Sequence, residues 1–252
     1  MIFLRINKKC FNALTGIAVG ICNGFFGSGG GMIAVPMLEK GGSEAKKAHA
    51  TSIAITLPLS IISGLVYFKG GSLDFSQAVK FIPLGLAGAA VGAMLMKKLS
   101  NSLLKRIFGA HMVYQAVISP YFINILTPAI IISAVAFLTG IFASMGLGGG
   151  MVLIVYLTVF AGFSQIAAQG INLVFFIPIA IISLVLHTKN KLVEWKKAVP
   201  AVLWGTAAVI ISAWLANRIE QSLLSKAFGI FLILMGLKEL FFKSEKHKFK
   251  RV

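Results

Sequence analysis

Eighty consecutive residues, 107–186, contain no Asp, Glu, Lys or Arg. A helix needs about 20 residues to cross the hydrocarbon of a bilayer, so this one stretch must hold several crossings. Its punctuation places them, at Ser119-Pro120, Thr127-Pro128, a glycine cluster at 146–150 and a polar break at 161–164. Further charge-free runs cover 10–38, 50–68, 81–96 and 198–217, with a last apolar segment at 223–242. The chain is 58% hydrophobic and 12% charged, where a soluble domain carries about 25% charged residues. A water-soluble globule is excluded, and so is a disordered chain, which needs low hydrophobicity. The class expected is an all-α polytopic integral membrane protein with about eight transmembrane helices.

The net charge of +17 comes from 24 Lys and Arg against 7 Asp and Glu, clustered between the apolar runs. There they set orientation and meet anionic lipid headgroups, so membrane lipid is expected as a partner and nucleic acid is not. Cys10 and Cys22 have no metal-ligand spacing. The apolar run that follows Lys9 is too long for a cleaved leader and reads as a retained span.

Two short segments, each set off by glycine, join the eight helices. One follows Gly27-Ser28-Gly29-Gly30-Gly31, and the other follows Gly148-Gly149-Gly150. The likeness belongs to a longer internal repeat. Between residues 48 and 109, 17 of 62 positions are identical to the residue 120 further on, among them Pro58/Pro178, Ser63/Ser183, Gly85/Gly205 and Phe108/Phe228. Gly29-Gly30-Gly31-Met32 matches Gly148-Gly149-Gly150-Met151 at 119, and Leu14-Thr15-Gly16 matches Leu138-Thr139-Gly140 at 124. The chain therefore divides into two related transmembrane repeats, 1–120 and 121–242, and a basic tail, 243–252. If the short segments cross, 20 Lys and Arg fall on one side and 4 on the other; if they do not, the division is 15 to 9. The positive-inside rule favours the first, hence inverted halves with both termini cytoplasmic.

Broken helices in a membrane leave N–H and C=O groups that must be buried in protein or line a hydrated cavity. A half-helix that starts after a glycine cluster aims its N–H groups and positive dipole end at an anion. Gly29, Gly30, Gly31 and Met32, with Gly148, Gly149, Gly150 and Met151, are the candidate binding residues. Tight helix packing of small residues is the competing reading. A second matched pair opens the next helix of each half: Thr51 and Ser52 in the first, Gln169 and Asn172 in the second. Their uncharged hydrogen-bonding groups suit an oxyanion, and they suit helix capping or interhelical bonding equally. His49, aligned with Gln169, and His111, inside the long uncharged stretch, are candidates for proton coupling, as is His187 at a helix end. Asp74 and Glu194 align beside Phe75 and Trp195 as interface anchors. No carboxylate lies within a span, and there is no P-loop, metal-ligand cluster or nucleophile elbow, so neither an enzyme nor a cofactor is expected.

These glycine clusters, the segment 27–38 and the segments 48–52 and 168–172 resemble the TauE/SafE family of sulfite exporters and organosulfonate permeases, over most of residues 14–240. The resemblance implies secondary transport of small sulfur oxyanions, sulfonates or related carboxylates across the bacterial inner membrane. A small anionic substrate and a second copy of the chain, as a homodimer, are the other partners expected. Ala50 stands where the family often has Gly, Ile171 where Thr or Ser is usual, and Val155 where the first half has Pro36. The alternative of another class is a membrane accessory subunit whose glycine clusters pack against a partner protein.

Overall fold

The structure, a computed structural model, describes residues 8–100, 103, 129–148 and 150–241. Among them the chain is helix and connecting turn, with no strand, as a backbone in hydrocarbon must satisfy its own polar groups. The helices are α1 (Lys8–Phe26), α2 (Gly30–Lys40), α3 (Ala45–Lys69), α4 (Phe75–Val79), α5 (Ile82–Lys98), α6 (Ala129–Ser144), α7 (Gly150–Val155), α8 (Gln165–Lys189), α9 (Trp195–Ala216) and α10 (Gln221–Phe241). A π-helical turn, Tyr156–Phe160, prolongs α7. Three of the described helices, α3, α8 and α9, are long and apolar enough to cross a bilayer. One of the eight long helices expected falls on residues 104–128, outside the described set.

Large apolar side chains face outward along these helices, among them Leu65, Leu203, Trp204, Ile211 and Leu234. In water such a surface would aggregate; against lipid it is the favourable face. α3 and α8 each hold 25 residues with an internal proline at equivalent positions, Pro58 and Pro178. Both end in a turn with a left-handed residue, Gly71 (φ 71°) in one and Lys191 (φ 56°) in the other.

Glycine sets the helix crossings. α1 packs most extensively on α9, where Gly16 meets Ala201, Gly20 meets Gly205 and Gly24 meets Ser212. α6 makes the same kind of contact with α5: Gly140 meets Gly85, Phe137 meets Gly88 and Ser144 meets Gly92. Both pairs run parallel: the numbers rise together along α1 and α9, and on α5 Gly88 meets Phe137 and Ile141 while Gly92, one turn on, meets Ile141 and Ser144. Elements about 120 residues apart thus exchange partners, α1 with α9 and α6 with α5. α3 and α8 run antiparallel, for Tyr67 near the end of α3 bonds Gln169 near the start of α8.

The two short helices return the chain part-way. α2, of 11 residues, is about 16 Å long and covers half the hydrocarbon. It brings Gly41 back against Phe11, near the start of α1. At that same end Lys46 Nζ donates to Lys97 O (2.9 Å), and Lys197 Nζ donates to Ser43 Oγ (2.7 Å) and pairs with Glu194 (3.3 Å). At the opposite end Ser72 Oγ donates to Asn217 Oδ1 (2.7 Å) and Ile166 N–H to Gln221 Oε1 (3.2 Å). The interface anchors expected at Asp74 and Glu194 lie at opposite ends. Asp74 caps α4 by accepting from Gln77 N–H (3.1 Å), while the Glu194 carboxylate turns to Ser43 and Lys197.

Candidate functional site

The two glycine breaks meet in the middle of the molecule. Gly31 lies against Gly146 and Gly148, close enough that a Cβ on Gly31 would sit 3.5 Å from Gly146 O and from Gly148 N. Between them is a cavity of about 10 Å³, room for about one water, lined by Ser28, Gly31, Ser52, Thr56, Gly146 and Gly148 with Ile53, Ala143 and Phe176. Two of these positions need glycine by conformation or space. Gly146 (φ 70°) and Gly148 (φ 69°) are left-handed, and Gly146 packs directly on His49 O and Ser52 Oγ.

Each break is closed by the long helix that belongs to the other part of the repeat. Asn172, on α8, donates from Nδ2 to Gly27 O (3.2 Å), and Gly27 (φ 65°) rests on Gln169. Ser52, on α3, sits against Gly146 and donates to His49 O (2.7 Å). The methionines cross over in the same way, Met32 against Gly148 and Met151 against Gly29. The repeat offset changes here as well. Gly27 and Gly146, equivalent in their contacts, are 119 apart, whereas α2 and α7 begin 120 apart at Gly30 and Gly150. The second break accommodates its extra residue with a second left-handed glycine, Gly148, where Gly29 is right-handed.

The candidate residues divide by what they touch. Gly31, Ser52 and Gly148 line the cavity, and Gly30 opens α2 against Val19, Thr56 and Asn23. Gly150 packs on Ser28 and Asn172. Gly29 occupies the N-cap of α2 with no side chain bonding to the N–H groups of its first turn. The Met151 N–H is engaged by Gly148 O (3.1 Å). Asn172 Oδ1 is buried without a hydrogen-bond partner among the described residues. Thr51, one residue from Ser52 and so about 100° round the helix, faces elsewhere and accepts from Glu194 N–H (2.9 Å). His49 is buried, with its carbonyl toward Ser52 and Gly146. Gly149 and His111 lie outside the described residues.

Two groups enter the site that the sequence did not single out. Ser28 and Thr56 add hydroxyls to the cavity, and Thr56 stands opposite Phe176 at the matched position. Tyr67 reaches Gln169 Oε1 (2.7 Å) and Gly24 O (3.0 Å). One hydroxyl proton serves one acceptor, so turning the Gln169 amide lets its NH₂ donate to Tyr67 while Tyr67 donates to Gly24. That also satisfies Gln169 Nε2, otherwise unpartnered.

A polar, glycine-built junction thus lies inside an apolar helical bundle. The profile of the sulfite exporter TauE/SafE family matches residues 12–239. The chain belongs to that family. Two probable membrane transporter proteins of Xylella fastidiosa, strains Temecula1 and 9a5c, are each 25% identical to it, over 88% of this chain and 91% of their own length. A probable membrane transporter protein MamO of Magnetospirillum gryphiswaldense is 27% identical over 94 residues, 37% of this chain and 15% of that protein. No solved structure matches the chain. As a TauE/SafE family member it is a membrane transporter.

Proposed function

We propose that the chain is a secondary transporter of small sulfur oxyanions or organosulfonates, bound between the two glycine breaks. The observation that carries this is the crosswise closure, Asn172 on the break at Gly27 and Ser52 on the break at Gly146, around a cavity lined by hydroxyls. Glycine at Gly30 and Gly31 leaves the first-turn N–H groups of α2 open to an oxyanion, and the helix dipole favours negative charge there. Among the described residues no carboxylate lines the cavity to repel it. A cavity of about 10 Å³ holds one water, so binding an oxyanion requires the breaks to part, which is a movement of one half against the other. The antiparallel α3 and α8 and the reciprocal α1/α9 and α5/α6 contacts support inverted halves, 1–120 and 121–242. In this reading the family's setting, the bacterial inner membrane, holds both termini on the cytoplasmic side.

Uptake and efflux of labelled sulfite, taurine and sulfoacetate in proteoliposomes tests the assignment. Saturable flux that Gly30→Val abolishes, with normal membrane insertion, is expected, because a Cβ at Gly30 already sits 3.0 Å from Thr56 and Val19. Wild-type flux that survives this substitution would overturn the site.

A further inference from the structure

Tyr67 and His187 occupy equivalent positions, 120 residues apart, and both are fully buried. Each bonds a carbonyl near the end of the helix that leads into a glycine break. Tyr67 OH reaches Gly24 O at 3.0 Å, and His187 Nε2 lies 2.7 Å from Ser144 O. The two side chains differ in one chemical respect: an imidazole takes up a proton near neutral pH and a phenol does not. A carbonyl only accepts, so Nε2 carries the hydrogen and Nδ1 is the basic nitrogen of the neutral ring. Nδ1 is buried and has no hydrogen-bond partner among the described residues. Ser144 itself stands between Ala143 and Gly146, both of which line the cavity.

We propose that His187 is a proton-binding site of this transporter, loaded together with the anion at the glycine breaks. The proposal rests on the breaks being the anion site. A proton on Nδ1 creates a buried cation and a buried donor, costly unless negative charge lies nearby. Among the described residues, the titratable side chains toward the His187 end of α8 are Lys46, Lys47 and His49 of α3, Lys97 and Lys98 of α5, and Lys189, Lys191 and Glu194 in and after the last turn of α8, the Glu194 carboxylate being paired with Lys197; α6 and α7 carry none. These groups are mostly cationic, so the bound oxyanion is the charge that offsets the imidazolium. Anion and proton then favour one another's binding by the same factor, and the pair crosses with less net charge than the anion alone.

The test uses sulfite in proteoliposomes of the full-length protein, measured as counterflow at equal pH and as uptake under an imposed pH gradient. Wild type is expected to show both. His187→Gln and His187→Tyr, the latter copying Tyr67, are expected to keep counterflow and to lose gradient-driven uptake by at least about tenfold, the size of a typical coupling. A variant that keeps counterflow and still answers the gradient as wild type does would overturn the proposal. Titration of the wild-type histidines by ¹⁵N NMR gives a second reading. A His187 ring that titrates between pH 5 and 9, and does so at higher pH with sulfite present, supports the site; one that does not titrate overturns it. Absence of sulfite counterflow in wild type would instead count against the anion reading, and the NMR titration would then decide the proton site alone.

Discussion

Gly146 shows how much of the junction depends on a missing methyl group. Its φ of 70° is left-handed, and a Cβ there would run into the carbonyl of His49. Gly146→Ala therefore incurs about 1–2 kcal/mol of backbone strain before any clash is counted. The clash adds to it, since backbone cannot swing aside as a side chain does. We expect the variant to insert into the membrane, to lose most transport, and to melt several degrees lower in detergent by intrinsic fluorescence; wild-type flux would show that the break tolerates a side chain. The matched glycines and the Ser52/Asn172 pair were legible because the repeat marks them twice. Thr51 was not separable from Ser52, because α3 is buried on most sides around them and no polar face tells which hydroxyl points inward. Tyr67 was passed over because a tyrosine near the end of a span ordinarily reads as an interface anchor, whereas here it is buried and ties α3 to Gln169.

Glycines along α1 and α5 do different work from those in the breaks. Gly16, Gly20 and Gly24 recur every fourth residue and bring α1 onto α9 with backbones in contact, the small-residue packing that substitutes for hydrophobic driving force in lipid. The small-residue packing that the sequence offered as the competing reading is thus present in the fold, at glycines other than those of the breaks. Gly20→Leu would put a bulky side chain onto Gly205 O, where a Cβ alone already sits 2.5 Å away. Overpacking of this kind costs about 1–3 kcal/mol, so thermal stability should fall clearly while Gly20→Ala falls less. Equal melting temperatures for the two variants would argue that α1 and α9 part easily. A smaller element, α4, depends on the exposed carboxylate of Asp74. Hydrogen bonds from Ser76 and from Gln77 N–H hold its pKa below the ordinary carboxylate value. A depressed folded pKa means that the cap contributes above the unfolded value, about 3.9, and is lost as pH falls through the folded one. Amide exchange in residues 75–79 should accelerate below about pH 4 relative to the intrinsic rate, and in Asp74→Ala at neutral pH; Asp74→Asn, which still caps, should protect them at both. Protection in Asp74→Ala equal to wild type would show that packing on α8 alone holds α4.

The two ends of the molecule are built differently, and that asymmetry is what the repeat pattern does not foretell. At the end bearing Gly41 and the 190s turn, Ser43, Glu194 and Lys197 join the halves, and Thr51 accepts from Glu194 N–H. The positions matched to these are Phe163, Asp74, Gln77 and Ile171, which cannot rebuild the same network. There the turn at 71–75 and the start of α8 instead border an open cleft of about 490 Å³. Among the described residues the cations gather at the first end, in the segments 40–47, 97–98 and 189–197, against Lys69, Lys80, Arg218 and Lys226 at the other, with α2 returning as the contact of Gly41 with Phe11 indicates. On the proposed topology the positive-inside rule predicts that the Glu194 end faces the cytoplasm. Single cysteines in a chain with Cys10 and Cys22 replaced by serine test this directly. Lys80→Cys and Glu220→Cys should react with a membrane-impermeant maleimide in intact cells, and Glu44→Cys and Lys196→Cys only after permeabilisation. If the short helices failed to cross, Glu44 and Lys80 would exchange behaviour, and the halves would be parallel. Because α3 and α8 meet antiparallel through Tyr67 and Gln169, that outcome would also require this buried hydrogen bond to be absent in the membrane.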